Sequence, residues 1–237
     1  MKLKTKLCSS LAQVLPSTAP SGAEIRSVCA LQGEIFSSQF AYCAEDFHSC
    51  PIRVSEDSPL RDFITCRSVE LVPVDYSVRV SDDDCLATVP GLYLDRRAAF
   101  PQNGNKAIFS QWHTLWLKVA VPEEYPAGKN DIVVSIHASP LIKMDRSITA
   151  KRTFTLEVLP LRLSEQTLTV TNWPHTDCIA SHYQCRIFSE EHRQLLEDFF
   201  PKCLGSRHQF AFYVPLHSAA GYRDRLGKTH LPTGSRF

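Results

Sequence analysis

QWHTLWLKVAVP, residues 111–122, is the stretch from which the architecture of this chain can be read. Trp112, Leu115, Trp116, Leu117, Val119 and Val121 supply bulk for both faces of a β-strand, and no three-to-four-residue helical stripe competes with that reading. EEYPAGKND (123–131) then makes a turn, and DIVVSIHA (131–138) and TFTLEVLPLRL (153–163) are further strands, with 69–80 another candidate. Up to residue 163 the chain is written in short β-rich runs separated by Pro, Gly, Asp and Asn clusters. That grammar predicts an antiparallel β-sandwich.

At 237 residues the chain can form one large domain, or a domain of about 150 residues and part of another. Hydrophobic residues at 43%, charged residues at 22% and a net charge of +1 leave no acidic or basic excess, so nucleic acid is not an expected partner. The opening MKLKTKLCSSLAQVLPS carries three lysines but no unbroken apolar run, and no later window approaches a membrane span. The expected location is the cytoplasm, without membrane attachment. Nine cysteines (8, 29, 43, 50, 66, 85, 178, 185 and 203) stand at irregular spacings without a CxxC pair. Their odd number and spacing argue against a full disulfide framework and a zinc ribbon, and they read as mostly buried, reduced thiols.

The grammar changes after Leu163. SEQTLTVTNW (164–173) is an extended run, and SEEHRQLLEDFF (189–200) is the one well-signalled helix. Ser189 is a good N-cap, Glu190 and Glu191 suit the positive end of the helix dipole, and Leu195, Leu196, Phe199 and Phe200 form an apolar stripe. Strand, loop and capped helix make one βα unit from 164 to 200, whereas residues 201–237 lose hydrophobic periodicity.

Within that unit, NWPHTDC (172–178) gathers reactive side-chain types. In an extended segment alternate residues point the same way, so Trp173, His175 and Asp177 would share a face while Pro174 and Thr176 take the other. Two readings stand: a presented binding surface, or a capped strand end whose Asp177 and His175 bond backbone groups. Cys178, His182 and Cys185 form C-x3-H-x2-C without an obvious fourth zinc ligand, and a Cys/His nucleophile pair has equally thin support. Asp82, Asp83 and Asp84 could meet a calcium ion, though a solvated loop explains them. Trp112 and Trp116 read as core. No metal or cofactor is expected.

Five stretches carry a family resemblance: ALQGEIFSSQFAY (30–42), VPGLYLD (89–95), QWHTLWLKVAVPEEYPAG (111–128), FTLEVLPLRLSEQTLTVTNW (154–173) and HTDCIASHYQCRIFSEEH (175–192). In order and spacing they resemble the N-terminal part of bacterial proteins related to glycoside hydrolase family 123. The resemblance implies an N-terminal β-sandwich over 1–163 and the start of a (β/α)8 catalytic domain over 164–200. It places TNWPHTDC on the first barrel strand, so that Trp173, His175 and Asp177 would bind sugar at the C-terminal face of the barrel. The activity it implies is hydrolysis of β-linked N-acetylgalactosaminides, the substrate's own acetamido group attacking the anomeric carbon while an Asp-Glu pair on a later strand orients it and exchanges protons. Two positions depart from the family's pattern: Pro174 replaces an aromatic residue, and Arg193 replaces a Trp that could staple to Phe188.

A barrel needs about 200 residues or more, so its later strands and the Asp-Glu pair are expected to be missing, and no catalytic residue is assigned. The tail suggests a frameshift near Phe200 or Pro201. Pro201 to Gln209 can be encoded so that the next frame reads Arg-Asn-Ala-Trp-Glu-Ala-Gly-Ile-Asn, and Ser218 to Arg225 so that the same shift reads Pro-Pro-Leu-Asp-Thr-Glu-Ile-Gly. Residues 201–237 are then a non-native, disordered tail. The expectation is therefore a mostly β protein with an incomplete barrel, from a glycosidase acting on N-acetylhexosaminides but inactive alone. The alternative is a noncatalytic β-sandwich module binding carbohydrate or protein. Oligomeric state has no signal.

Overall fold

The computed structural model of the chain describes residues 2–46, 49–74, 90–100, 105–139, 147–164, 169–172, 176–204, 209–212, 222–223 and 229–230. The chain divides into two compact units, Met1–Leu163 and Ser164–Phe237.

The first unit is a two-sheet sandwich. One sheet joins β1 (Leu3–Ser9), β3 (Ile35–Ala44), β8 (His113–Ala120), β5 (Ile64–Val74) and β6 (Gly91–Ala98) in that order. The other joins β2 (Ser27–Gln32), β10 (Ile148–Arg162), β9 (Gly128–Ala138), β4 (Cys50–Asp57) and β7 (Asn105–Ala107). The residues at 111–122 behave as their alternation demands: Leu115, Leu117 and Val119 of β8 are buried between the sheets, while Trp116 and Lys118 point outward. Register carries the pattern across the sheet, since Phe40 of β3 pairs with Leu115 and Phe154 of β10 pairs with Ile132 of β9. Phe40, Tyr42, Leu115, Leu117, Ile132, Ile136, Phe154 and Leu156 are the bulk of one continuous core. The Phe36 and Phe154 rings meet at 5.8 Å in a tilted arrangement.

The sheets depart from a purely antiparallel plan at one ladder: β2 runs parallel to β10. Every other named ladder of the sandwich is antiparallel. A second, smaller apolar cluster lies on the outer side of β1 and β3, where Trp112 packs with Cys8, Val14, Ala41 and Cys43. Trp112 is thus core, as expected, whereas Trp116 takes the outward face. Cys8, Cys43 and Cys50 are buried and free, and burial pushes the Cys8, Cys43, Cys50 and Cys66 thiols up. The turn expected over 123–131 is shorter than read, because β9 already begins at Gly128, whose φ of 146° suits glycine. Asp82, Asp83 and Asp84 lie outside the described residues.

The second unit holds β11 (Thr169–Asn172), α1 (Thr176–Tyr183), α2 (Glu190–Leu204) and β12 (Gln209–Phe212), with a short antiparallel pair, β13 (Tyr222–Arg223) and β14 (Thr229–His230). β12 lies parallel to β11, Thr169 opposite Gln209 and Asn172 opposite Phe212. Strand, two helices and parallel strand form a βαβ crossover. Most of 201–237, expected to be a disordered tail, lies outside the described residues. Within it, α2 continues to Leu204 and β12 takes a seat beside β11.

Candidate functional site

In a parallel α/β arrangement, ligands are met beyond the C-terminal ends of the strands. Here that edge is marked by Asn172 and Phe212, which are in register, and by the chain that leaves β11. Of the three residues expected to bind sugar there, Trp173 and His175 lie outside the described residues. Asp177 is described, and it corrects the reading that grouped the three by strand alternation. It stands in the first turn of α1, where the period is 3.6 and a carboxylate faces the positive end of the helix dipole. Asp177 is thus close to the strand end in sequence, but its direction is set by a helix.

α1 is eight residues long, below what propensity alone sustains. Its ends explain how it holds. Thr176 and Ala180, one turn apart, are the buried residues of its inner face. At the C-terminus, Gln184 adopts the left-handed conformation (φ 57°) and Cys185 N–H donates to Ala180 C=O at 3.0 Å, the six-to-one bond of a Schellman closure. The His182 and Tyr183 rings meet edge to face at 4.9 Å.

Among the described residues of this unit the most buried polar side chain is that of His192, which the sequence reading did not single out. It is 1% exposed and lies in the first turn of α2. Ser189 caps that helix as expected, its Oγ accepting from His192 N–H at 3.2 Å. His192 Nδ1 in turn accepts from Phe188 N–H at 3.0 Å, so the ring reaches back past the cap, as Glu does in a capping box but one residue further. Since Nδ1 accepts, the ring proton is placed on Nε2, which donates to Thr176 C=O at 2.8 Å. One imidazole therefore joins the start of α2 to the start of α1. Both of its nitrogens are used on backbone groups, which makes it a pin and not a proton shuttle. The available signal was positional: a His three residues after a Ser cap, where a Glu or Gln would otherwise stand.

Phe188 carries a left-handed φ of 61° and is 73% exposed, so the conformation is held by its backbone bond rather than by burial of its ring. Arg193, at the position where a staple to Phe188 was considered, instead pairs with Glu190, and with Glu197 at 3.3 Å. Its guanidinium holds the Glu190 carboxyl below the usual carboxylate range. Leu195 and Leu196 are half-buried, while Phe199 is 39% exposed.

Cys178 and His182 stand one turn apart on α1, and Cys185 follows its end. Among the described residues no group of three His, Cys, Asp or Glu side chains is placed to hold a metal ion, and no helix is long and apolar enough to cross a membrane.

Neither a family model nor a curated protein matches the chain. Solved structures do. A family 123 glycoside hydrolase from Clostridium perfringens, studied for glycolipid glycan hydrolysis, superposes with a TM-score of 0.59 at 14% identity, covering 85% of this chain and 36% of that enzyme. The likeness is one of fold. This chain spans little more than a third of that enzyme's length. The periplasmic chaperone SfaE (TM-score 0.36, 11% identity, 60% of this chain and 59% of that one) and the PapD-like domain of human CEP192 (0.33, 12%, 57% and 82%) match more weakly and carry no argument.

Proposed function

We propose that this chain is part of a glycoside hydrolase of the family 123 kind, with its N-terminal β-sandwich over 1–163 and the opening of its (β/α)8 domain from 164 onward. The observation that carries the reading is the succession, in one chain, of a two-sheet sandwich and a parallel βαβ crossover. The shared fold with a family 123 enzyme over 85% of the chain supports it. Trp173, His175 and Asp177 would form one wall of a sugar subsite at the end of β11, recognising an N-acetylhexosaminide. Hydrolysis of β-N-acetylgalactosaminides by substrate assistance would need an adjacent Asp-Glu pair, and the dipeptide Asp-Glu occurs nowhere in these residues. The chain as given is accordingly proposed to bind but not to cleave, and to work in the cytoplasm.

The test has two parts. Incubation with a chromogenic β-N-acetylgalactosaminide should release no product above background, and saturation-transfer NMR should detect weak binding of N-acetylgalactosamine that Asp177→Ala abolishes. Turnover would refute the inactivity, and equal binding by the variant would remove Asp177 from the subsite. That residues 201–237 are out of frame stays a proposal. β12 occupies the seat a native second strand would also take, and the gene read in the shifted frame past codon 200 decides between them.

A second reading, a noncatalytic sandwich that binds carbohydrate or protein, is favoured by one observation: the outward face of β8 carries Trp116 beneath an arginine instead of polar residues alone.

A further inference from the structure

The outer face of the β1-β3-β8-β5-β6 sheet is divided. One half is sealed by the segment after β1: Gln39 Nε2 donates to the carbonyls of Ser9, Ser10 and Ala12 at 3.2, 3.3 and 2.7 Å, and Trp112 closes the apolar cluster beneath. The part around Trp116 is cationic, with Val69 and Thr114 buried on the same face. Trp116 of β8 pairs directly with Arg67 of β5, and Lys118 follows on the same face of β8. Arg97 belongs to β6, one strand beyond β5, yet its guanidinium carbon lies 4.9 Å from the centroid of the Trp116 ring. To reach it the side chain crosses β5, and stacking on the indole fixes a guanidinium that would otherwise move freely.

Arg67, Arg97 and Lys118 are all exposed. None forms an ion pair among the described residues, and Glu70, the carboxylate on β5, faces Arg96 instead at 3.8 Å. The three cations spread over three adjacent strands, about 10 Å at sheet spacing. Like charges this close repel, and an anion laid across them relieves the repulsion.

We propose that this face binds an acidic oligosaccharide, with a sulfate or uronate carboxylate on the Arg97 fork and neighbouring acidic groups on Arg67 and Lys118. A fixed planar guanidinium suits bidentate recognition of such oxyanions. The patch is too small, and the chain at net charge +1 too balanced, to track a nucleic-acid backbone. The choice of a saccharide among small polyanions rests on the glycosidase reading above; the cation cluster itself does not.

The experiment is calorimetric titration of the intact chain with a chondroitin sulfate hexasaccharide at low and high salt. A neutral N-acetylhexosamine oligomer, an anionic phospholipid vesicle and an oligonucleotide of equal charge serve as comparison ligands. The sulfated hexasaccharide should bind, and bind more weakly as salt rises. Arg67→Ala, Arg97→Ala and Lys118→Ala should each weaken it by up to about fivefold, and the triple variant by more than about twentyfold, with unchanged circular dichroism. Arg97→Lys, which keeps the charge and loses the fork, should fall between wild type and Arg97→Ala. No binding by the wild-type chain, or undiminished binding by the triple variant, overturns the site. Tighter binding of vesicle or oligonucleotide than of saccharide overturns the ligand. The glycosidase reading fails separately, through Asp177→Ala and the neutral sugar, which do not involve this face.

Discussion

Replacing His192 with alanine removes two hydrogen bonds and one buried ring at a single stroke. Phe188 N–H, which precedes α2 and belongs to no helical ladder, loses its partner, whereas Thr176 C=O loses its bond to the ring but stands at a helix start, where carbonyls still accept from the N–H four residues on. One orphaned N–H costs about 1–3 kcal/mol and the lost bond to Thr176 about 1 kcal/mol more, so the local penalty is about 3 kcal/mol. Every 1.4 kcal/mol is a factor of ten, so the opening equilibrium of the α1–α2 region should rise by about a hundredfold. Hydrogen exchange read by mass spectrometry on peptides from 176–204 measures that directly, with peptides from 113–138 as the internal reference. His192→Gln, able to replace one bond but not both, should give an intermediate increase. Unchanged exchange over 176–204 in the alanine variant would refute the pin, and an equal increase over 113–138 would show that the effect is not local.

Three further outcomes are expected. His113 Nε2 is buried and meets no hydrogen-bond partner among the described residues, and burial lowers its pKa. The unfolded chain therefore takes up a proton near pH 6.5 that folded His113 resists, so its contribution to stability is full above about pH 6.5 and is lost as pH falls toward the depressed folded value. Denaturant midpoints should drop less for His113→Phe than for the wild type across that window, and parallel profiles would count against the argument. Thiol titration of the native chain should modify Cys29 and Cys178, which are exposed, and spare Cys8, Cys43, Cys50 and Cys66 until unfolding; rapid labelling of Cys43 would contradict its burial. Limited proteolysis should cut after Leu163 before it cuts within β8 or β9, leaving a sandwich-sized fragment on mass analysis, and early cleavage within 113–138 would be the opposing result.

How much of this was legible in the sequence depended on whether an element is specified locally. β8 was, because Leu115, Leu117 and Val119 alternate with Trp116 and Lys118. The start of α2 was too, since Ser189 and the acids after it satisfy a helix N-terminus with near neighbours. The parallel ladder between β2 and β10 was not, because it joins residues more than a hundred positions apart and no local pattern states a partner. α1 was missed for a related reason: TDCIASHY has no apolar stripe, and its ends are fixed by a left-handed Gln184 and by His192 of the following helix. That miss led directly to the misplaced direction of Asp177. β12 escaped because a four-residue strand takes its identity from the strand beside it. Trp116 read as core because bulk in a strand does not say which face is covered.

The two units differ in how completely each answers its own physics. In the sandwich, both inner faces meet and large apolar side chains such as Phe40, Ile136 and Leu156 are fully buried, so the facing sides of its two sheets partner one another within residues 1–163, even though Leu11, Ile35 and Leu161 stay exposed. Among its described residues the second unit has one parallel strand pair, and parallel sheets are stable when helices cover both faces and further strands flank the pair. Its helices and the turn between them leave Tyr183, Phe188 and Phe199 exposed, and in the described residues its most buried polar group, His192, binds helix start to helix start rather than helix to sheet. A (β/α)8 barrel supplies what such a unit needs, since each helix packs on the next and on the strands between them. The weak sugar subsite proposed at the end of β11 would gain further walls from that completion, whereas the cationic face around Trp116 lies on a five-stranded sheet with a core behind it. If the chain binds any glycan as it stands, the sandwich face is therefore expected to hold it more tightly than the strand end does.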